Sequence, residues 1–162
     1  MRKLVLVIIT VIAISTYFAC SKSTPQTMSC TATPPDEDSA VLIKFAGDSI
    51  PLTRDTTGLY YHIIDSGSSF KPISTNQLLV NYVARIIPTN QTFDSAVNSI
   101  LGGAPLDQLI AGWQIGLPKI GVGGRIQLFI PSAYAWGCTG DGTGAIPPNA
   151  PVFFDITLLA VK

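Results

Sequence analysis

Proline and glycine interrupt the apolar segments of this chain so often that long helices are not expected. The 162 residues include 14 Gly and 12 Pro, although 47% of all residues are hydrophobic. Both residue types mark turns and are poorly tolerated inside helices. A chain of this length suffices for one ordinary domain with an extension. The pattern therefore predicts a sheet-rich domain with many turns rather than a helical bundle.

Five segments after residue 58 have the apolar character of β-strands. They read GLYYHIID, QLLVNYVARII, TFDSA, GGRIQLFIP and PVFFDITLLAV. The clear helical candidate between them is the stretch around Trp113, which is bounded by Pro105 and Pro118. We therefore predict an α+β fold, with an antiparallel sheet of about five strands and one short helix lying across it.

The first twenty residues are typical of an export signal. Two basic residues precede an almost unbroken apolar run from Leu4 to Ile14, which is shorter than the roughly 20 residues that a membrane-spanning helix needs. Ala19 and Cys20 resemble the lipobox of bacterial lipoproteins, in which cleavage leaves an acylated cysteine. We expect residues 1–19 to be a signal peptide and Cys20 to anchor an exported lipoprotein in the bacterial cell envelope, facing the periplasm. An ordinary secretory signal with an incidental cysteine is the alternative.

The region between the signal and the sheet has two parts. Residues 20–37 are rich in Ser, Thr and Pro without an apolar period, which indicates a flexible tether. Residues 38–57 form an extension, and apolar residues at helical spacing predict a short helix from about Glu37 to Ala46. Cys30 and Cys138 would lie in an oxidising compartment, where one disulfide is possible. The sequence leaves open whether they are bridged or are two free thiols.

Several kinds of chemistry lack the residues they need. Lys and Arg balance Asp and Glu at ten each, which gives no electrostatic reason to expect a nucleic-acid partner. The single histidine, His62, lies in a predicted strand without signs of a poised base, and the three cysteines do not have metal-ligand spacing. The segment GCTGDGTGA lacks the order of a phosphate-binding loop, so we read it as flexible. If the chain is an enzyme, we expect it to work without a nucleophile, a metal or a cofactor.

Three stretches in the C-terminal half, taken in order, resemble the FKBP-type peptidyl-prolyl cis-trans isomerases. They are TFDSA, then LDQLIAGWQIGLPKIGVGGRIQLFIP, then YAWG followed by AIPPNAPVFFDITLLAV. The resemblance extends from about residue 58 to residue 162 and includes GLYYHII and LLVNY. It implies an FKBP-like domain over 58–162, a half-wrapped sheet around a short helix, and isomerisation of Xaa-Pro bonds in exported proteins that are folding.

The resemblance also implies a pocket. In that family the tryptophan of the short helix forms the floor, so Trp113 takes this place, and Gly112 leaves space for close approach as the chain enters the helix. The backbone N–H of Ile110 would donate to a substrate carbonyl, and Asp94 would lie near the carbonyl of the twisting bond. Phe153, on the opposite face of the last strand, would pack elsewhere. The positions expected to act in catalysis are Tyr82, Phe93, Asp94 and Trp136, and those expected to bind substrate are Leu109, Ile110, Trp113, Ile146 and Phe154.

Two departures from the family pattern leave a second hypothesis open. Trp136 replaces the usual tyrosine of AYG, and the stretch after Asp94 is short and lacks both the arginine often paired with the aspartate and a neighbouring aromatic. The chain could therefore be a peptide-binding or chaperone module with weak or no isomerase activity. We expect proline-containing polypeptides as clients, macrolide immunosuppressants as candidate ligands, and a monomer.

Overall fold

A computed structural model describes residues 30–162 of the chain. The predicted signal peptide, Cys20 and the first part of the tether lie outside the described residues. The described elements are α1 (Ser39–Ala46), β1 (Thr53–Arg54), β2 (Tyr60–Asp65), β3 (Leu78–Ile86), β4 (Thr92–Ser99), α2 (Ala111–Gly116), β5 (Arg125–Ile130) and β6 (Val152–Val161). Among these residues, no helix has the length and apolar character needed to cross a membrane.

The strands form one antiparallel sheet in the order β1-β2-β5-β6-β3-β4. The five predicted strands are all present, and the sequence reading missed the short edge strand β1, which makes the described sheet six-stranded. The C-terminal strand β6 pairs with both β3 and β5 over most of its length, so it forms the centre of the sheet. The predicted antiparallel α+β fold is therefore confirmed.

Helix α2 lies against one face of this sheet, which we call the inner face. Two glycines, one turn apart, allow this close approach. A Cβ at Gly112 would lie 2.5 Å from Cγ2 of Ile130, and one at Gly116 would lie 2.5 Å from Cδ2 of Leu128. Both contacts are with side chains of β5 that are fully buried. The expectation that Gly112 permits close packing is confirmed.

Helix α1 covers part of the opposite, outer face. The ring of Phe45 packs against Phe129 of β5 and Phe153 of β6, with centroid distances of 6.3 and 5.8 Å. Leu42 is fully buried in the same cluster. Strand geometry places neighbouring side chains on opposite faces, so Phe153 packs under α1 while Phe154 belongs to the inner core. The expected separation of these two phenylalanines is confirmed.

The sequence predicted that the helix of the extension begins at about Glu37. In the structure it begins at Ser39. The residue before it, Asp38, is buried, and its carboxylate accepts hydrogen bonds from the backbone N–H and Oγ of Ser132. The open question about the cysteines is also resolved, because Cys30 and Cys138 form a disulfide. Cys30, in the predicted tether, and Asp38, at the start of the extension, are thus both bonded to the chain that follows β5.

Candidate functional site

A small cavity of about 130 Å³ opens on the inner face, where the start of α2 meets β3, β4 and β6. Its volume is close to the ~150 Å³ of an engineered apolar cavity that binds benzene, so it suits a single small ring. Most of its lining is apolar, and an acidic side chain lies at its border. The residues that line it are Tyr82, Asp94, Leu101, Leu109, Ile110, Trp113, Trp136 and Phe154.

The floor of the cavity is the indole of Trp113, which is only 3% exposed. Its ring makes edge-to-face contacts with Tyr82 and Phe154, at centroid distances of 5.5 and 5.3 Å and interplanar angles of 84° and 87°. Such T-shaped arrangements are favoured by the ring quadrupoles and stabilise each pair by about 0.5–1.5 kcal/mol beyond burial. Among residues 30–162, no hydrogen-bond partner meets the buried Nε1–H of Trp113.

One side wall is built by a second set of ring contacts. Phe93, on β4, packs edge-to-face against Trp136 at 5.5 Å and against Phe154 at 5.9 Å. Trp136 comes from the irregular segment after β5, and Phe154 comes from the central strand β6. Three segments distant in sequence therefore fix this wall through their rings.

The polar part of the site is a hydrogen bond between two side chains. The hydroxyl of Tyr82 donates to Oδ2 of Asp94 over 2.5 Å. Burial, together with the bond to this carboxylate, raises the pKa of Tyr82 above its usual value. The phenol therefore stays protonated near neutral pH and acts as a donor that holds Asp94 at the mouth of the cavity.

Helix α2 begins without a polar capping side chain. Ile110 occupies the N-cap position, and its carbonyl accepts the backbone N–H of Trp113 at 2.9 Å. The carbonyl of Leu109 accepts from Nε2 of Gln114 at 2.7 Å. Within the described chain, no backbone acceptor receives the N–H of Ile110. A donor at the cavity border is therefore available to a bound molecule.

The structure brings together most of the residues that the sequence singled out. Seven of the nine positions line the cavity. Phe93 supports it through its contacts with Trp136 and Phe154. Ile146 is buried in the same core but is not one of the lining residues.

Leu101 is the lining residue that the sequence reading missed. It follows β4 in a short coil where the backbone is left-handed at Leu101 (φ 52°), Gly102 (φ 69°) and Gly103 (φ 79°). Asn98, near the end of β4, is also left-handed (φ 51°). This coil turns the chain after β4 back toward the cavity, where Leu101 contributes an aliphatic wall. Its glycine pair signals a turn, but no periodicity in the sequence indicates which side chain faces inward.

The other concave regions have a different character. A larger groove of about 360 Å³ lies on the outer face, and two of its charged side chains are already paired, since Arg125 donates to both carboxylate oxygens of Asp155. His62 also lies on that face, opposite Gln127 of β5. Among residues 30–162, no group of three or more His, Cys, Asp or Glu is arranged to hold a metal ion.

Comparison with known proteins relates this arrangement to one family. The family model described as FKBP-type peptidyl-prolyl cis-trans isomerase matches residues 69–159. FkpA, an FKBP-type peptidyl-prolyl cis-trans isomerase of Escherichia coli K12, is 39% identical over 123 residues, which are 74% of this chain and 43% of that protein. FK506-binding protein 1 of Saccharomyces cerevisiae is 38% identical over 94 residues, covering 54% of this chain and 79% of that protein.

Solved structures show the same fold. The crystal structure of Escherichia coli FkpA aligns with a TM-score of 0.62 at 36% identity, over 79% of this chain and 57% of that one. A peptidyl-prolyl cis-trans isomerase from Pseudomonas syringae aligns with a TM-score of 0.65 at 26% identity, over 80% of this chain and 93% of that one. The matched part of this chain spans less than half the length of FkpA.

Proposed function

Because this chain belongs to the FKBP-type peptidyl-prolyl cis-trans isomerase family, we propose that it catalyses the cis-trans isomerisation of Xaa-Pro peptide bonds in exported polypeptides. The observation that carries this proposal is the cavity over Trp113, which is the size of a small ring and is enclosed by three further aromatic side chains. The match covers only 43% of FkpA, so the activity is a proposal for this chain.

The physical task suits an apolar cavity. Rotation about the C–N bond of an amide has a barrier of roughly 18–20 kcal/mol because twisting breaks resonance. The twisted amide has less charge separation than the planar one, so an apolar environment stabilises it relative to the ground state. No covalent bond is broken and no proton has to be transferred. The side chains of this chain therefore act by binding and orienting, which is the chemistry that the cavity offers.

Each part of the site has a role in this proposal. The prolyl ring enters the cavity, lies on Trp113 and contacts Phe93 and Phe154 at the wall. The N–H of Ile110 donates to a carbonyl of the bound peptide, which immobilises the chain on one side of the rotating bond. Asp94, held by Tyr82, lies near the carbonyl that turns. Leu109 and Trp136 complete the binding surface, and Ile146 supports it from the core behind.

The direct test is an NMR exchange measurement of isomerisation in a Leu-Pro peptide, without a coupled protease. We expect the purified full chain in mild detergent to accelerate the exchange. Trp113→Ala removes the floor of the cavity and Phe93→Ala removes the ring that supports its wall, so each should lower kcat/KM by about tenfold or more. His62→Ala, a change on the outer face, is the matched control and should leave kcat/KM unchanged. Absence of acceleration by the intact chain would contradict the proposal.

A second function has specific support in the departures around the wall. Trp136 has an indole N–H in place of the tyrosine hydroxyl that is usual in the family, and the stretch after Asp94 lacks the usual arginine and aromatic residue. A peptide-binding or chaperone module would retain the cavity while isomerising slowly. In that case Trp136→Tyr raises kcat while the Kd for peptide hardly changes. A fall in kcat would count against this second function.

The location and ligands are also proposals. We infer that Cys20 is acylated after removal of residues 1–19. We also infer that the domain acts in the bacterial cell envelope as a monomer. The hydrophobic segment that ends at a lipobox-like cysteine supports the anchor. Mass spectrometry of the mature N-terminus would detect the acyl chains, and an unmodified Cys20 would contradict the anchor. FK506-binding protein 1 is a relative, so we propose that FK506 competes with peptide for the cavity.

A further inference from the structure

The chain segment that carries Trp136 is attached by a covalent bond to the residues that precede the extension. The disulfide joins Cys30 to Cys138, which lies two residues after Trp136. Nearby, the backbone N–H of Thr33 donates to Oδ1 of Asn149 at 3.3 Å, and the N–H of Asn149 donates to the carbonyl of Gly137 at 2.8 Å. These bonds hold the chain on the C-terminal side of Trp136.

A second attachment lies on the N-terminal side of Trp136. Oδ2 of Asp38 accepts from the backbone N–H of Ser132 at 2.7 Å and from its Oγ at 2.8 Å. Asp38 is 7% exposed and Ser132 is fully buried, so water does not readily replace these bonds. Between Ser132 and Trp136, the hydroxyl of Tyr134 donates to the carbonyl of Thr57 at 2.8 Å. Both ends of the segment are thus fixed by residues that precede the sheet in the sequence.

We infer that residues 30–38, which we call the N-terminal strap, position Trp136 in the cavity wall and thereby set the activity of the site. The inference rests on the proposed isomerase function and adds Cys30, Cys138 and Asp38 to it as positioning residues.

The location of the segment explains why it needs a strap. Strand β5 ends at Ile130 and β6 begins at Val152, so Trp136 lies in a connection outside the sheet ladder. Its indole nevertheless has to meet Phe93, on β4, at a centroid distance of 5.5 Å. Inside the sheet, a neighbouring strand would hold such a residue in place. In this connection the strap holds Trp136 instead. Misplacement of a binding group by 1 Å can cost ~10²-fold in rate, so looser attachment should be visible in catalysis.

The first experiment breaks the covalent attachment in the full chain. Dithiothreitol reduces the disulfide to two thiols and is itself oxidised to its cyclic disulfide, and the Cys30→Ser/Cys138→Ser double variant gives the same state genetically. The readouts are kcat and KM for a Leu-Pro peptide and the 19F NMR signals of 5-fluorotryptophan at Trp113 and Trp136. We expect kcat/KM to fall about three- to tenfold and the Trp136 signal to shift or broaden, while the Trp113 signal stays in place.

The second experiment tests the non-covalent attachment with the disulfide intact. Asp38→Ala should lower kcat/KM and perturb the Trp136 signal. Asp38→Asn should restore both, because its amide oxygen still accepts the N–H of Ser132. The matched control is Asp36→Ala, which removes an exposed carboxylate of the same strap that pairs with Arg54 instead; it should leave both readouts unchanged.

The outcomes separate this inference from the proposed function. Unchanged kcat/KM and an unchanged Trp136 signal after reduction would overturn the inference while the isomerase assignment stands. Equal effects of Asp36→Ala and Asp38→Ala would overturn it as well, since they would reflect general destabilisation. An oxidised full chain without isomerase activity would refute the proposed function, whereas the Trp136 signal would still report whether the strap positions this ring.

Discussion

Helix α2 packs so closely on β5 that replacing Gly112 with alanine should destabilise the protein. In Gly112→Ala, the new Cβ would lie 2.5, 2.6 and 2.9 Å from Cγ2, Cδ1 and Cγ1 of Ile130. A real Cβ does not tolerate such distances, and Ile130 is fully buried, so a single rotation of its side chain does not relieve all three contacts. Either the helix or the strand has to move.

Two effects of this substitution oppose each other. Alanine is a better helix former than glycine by about 1 kcal/mol, which favours the variant at this helical position. Overpacking a well-packed core costs about 1–3 kcal/mol and exceeds that gain when the neighbour cannot move away. The difference predicts that Gly112→Ala lowers the free energy of unfolding by up to about 2 kcal/mol, measured by urea denaturation. It should also lower kcat/KM, because displacement of α2 moves Trp113.

A double-mutant cycle tests the cause. Ile130→Ala alone should cost about 2–5 kcal/mol, because it creates a cavity. In that background the contacts with the new methyl group are gone, so Gly112→Ala should stabilise the protein by about 1 kcal/mol through helix propensity. The sign of its effect therefore reverses between the two backgrounds. If Gly112→Ala were equally costly in both, the packing argument would be wrong.

Three further outcomes are expected. Tyr82→Phe removes the hydrogen bond to Asp94 and should lower kcat/KM about three- to tenfold in the NMR exchange assay; unchanged kinetics would exclude a role for the bond. Leu101→Ala should raise KM about threefold with little change in kcat, because it removes an apolar wall without touching the ring stack. The ammonium of Lys119, together with a backbone hydrogen bond, lowers the pKa of Asp55 to about 2. The ion pair between Lys119 and Asp55 therefore stabilises the fold above about pH 4. This contribution is lost as the pH falls through about 2. Urea denaturation at pH 5, 3 and 2 should show that Lys119→Met removes this part of the acid dependence, on the order of 1 kcal/mol.

The parts of the fold that could be predicted are those in which local pattern and tertiary packing agree. The period of two along β6 separated Phe153 from Phe154, because neighbouring side chains in any strand point to opposite faces. Strand β1 escaped prediction because its two residues are too few to show a period. The disulfide stayed open because Cys30 and Cys138 are 108 positions apart, and only the packing of the extension brings them together.

The site shows the same division. The resemblance to the family implied that Tyr82, Asp94, Trp113 and Phe154 share one pocket, and all four line the cavity. They lie on regular elements, whose geometry fixes the direction of each side chain. Leu101 lies in a coil that depends on left-handed backbone conformations, which have no side-chain period. The use of Asp38 was also unpredictable, because aspartate before a helix is normally expected to cap it, whereas here its carboxylate bonds to Ser132.

A site that works by shape should respond more strongly to displaced walls than to the loss of one polar contact. The Tyr82–Asp94 bond lies at the exposed mouth of the cavity, where water can replace it, so its net contribution is about 0.5–1.5 kcal/mol. A 1 Å misplacement of a wall can cost ~10²-fold, equivalent to about 2.7 kcal/mol. The walls come from β3, β4, β6, the start of α2 and the segment held by the strap. Gly112→Ala and Asp38→Ala, which change no residue in contact with bound peptide, should therefore impair catalysis more than Tyr82→Phe does.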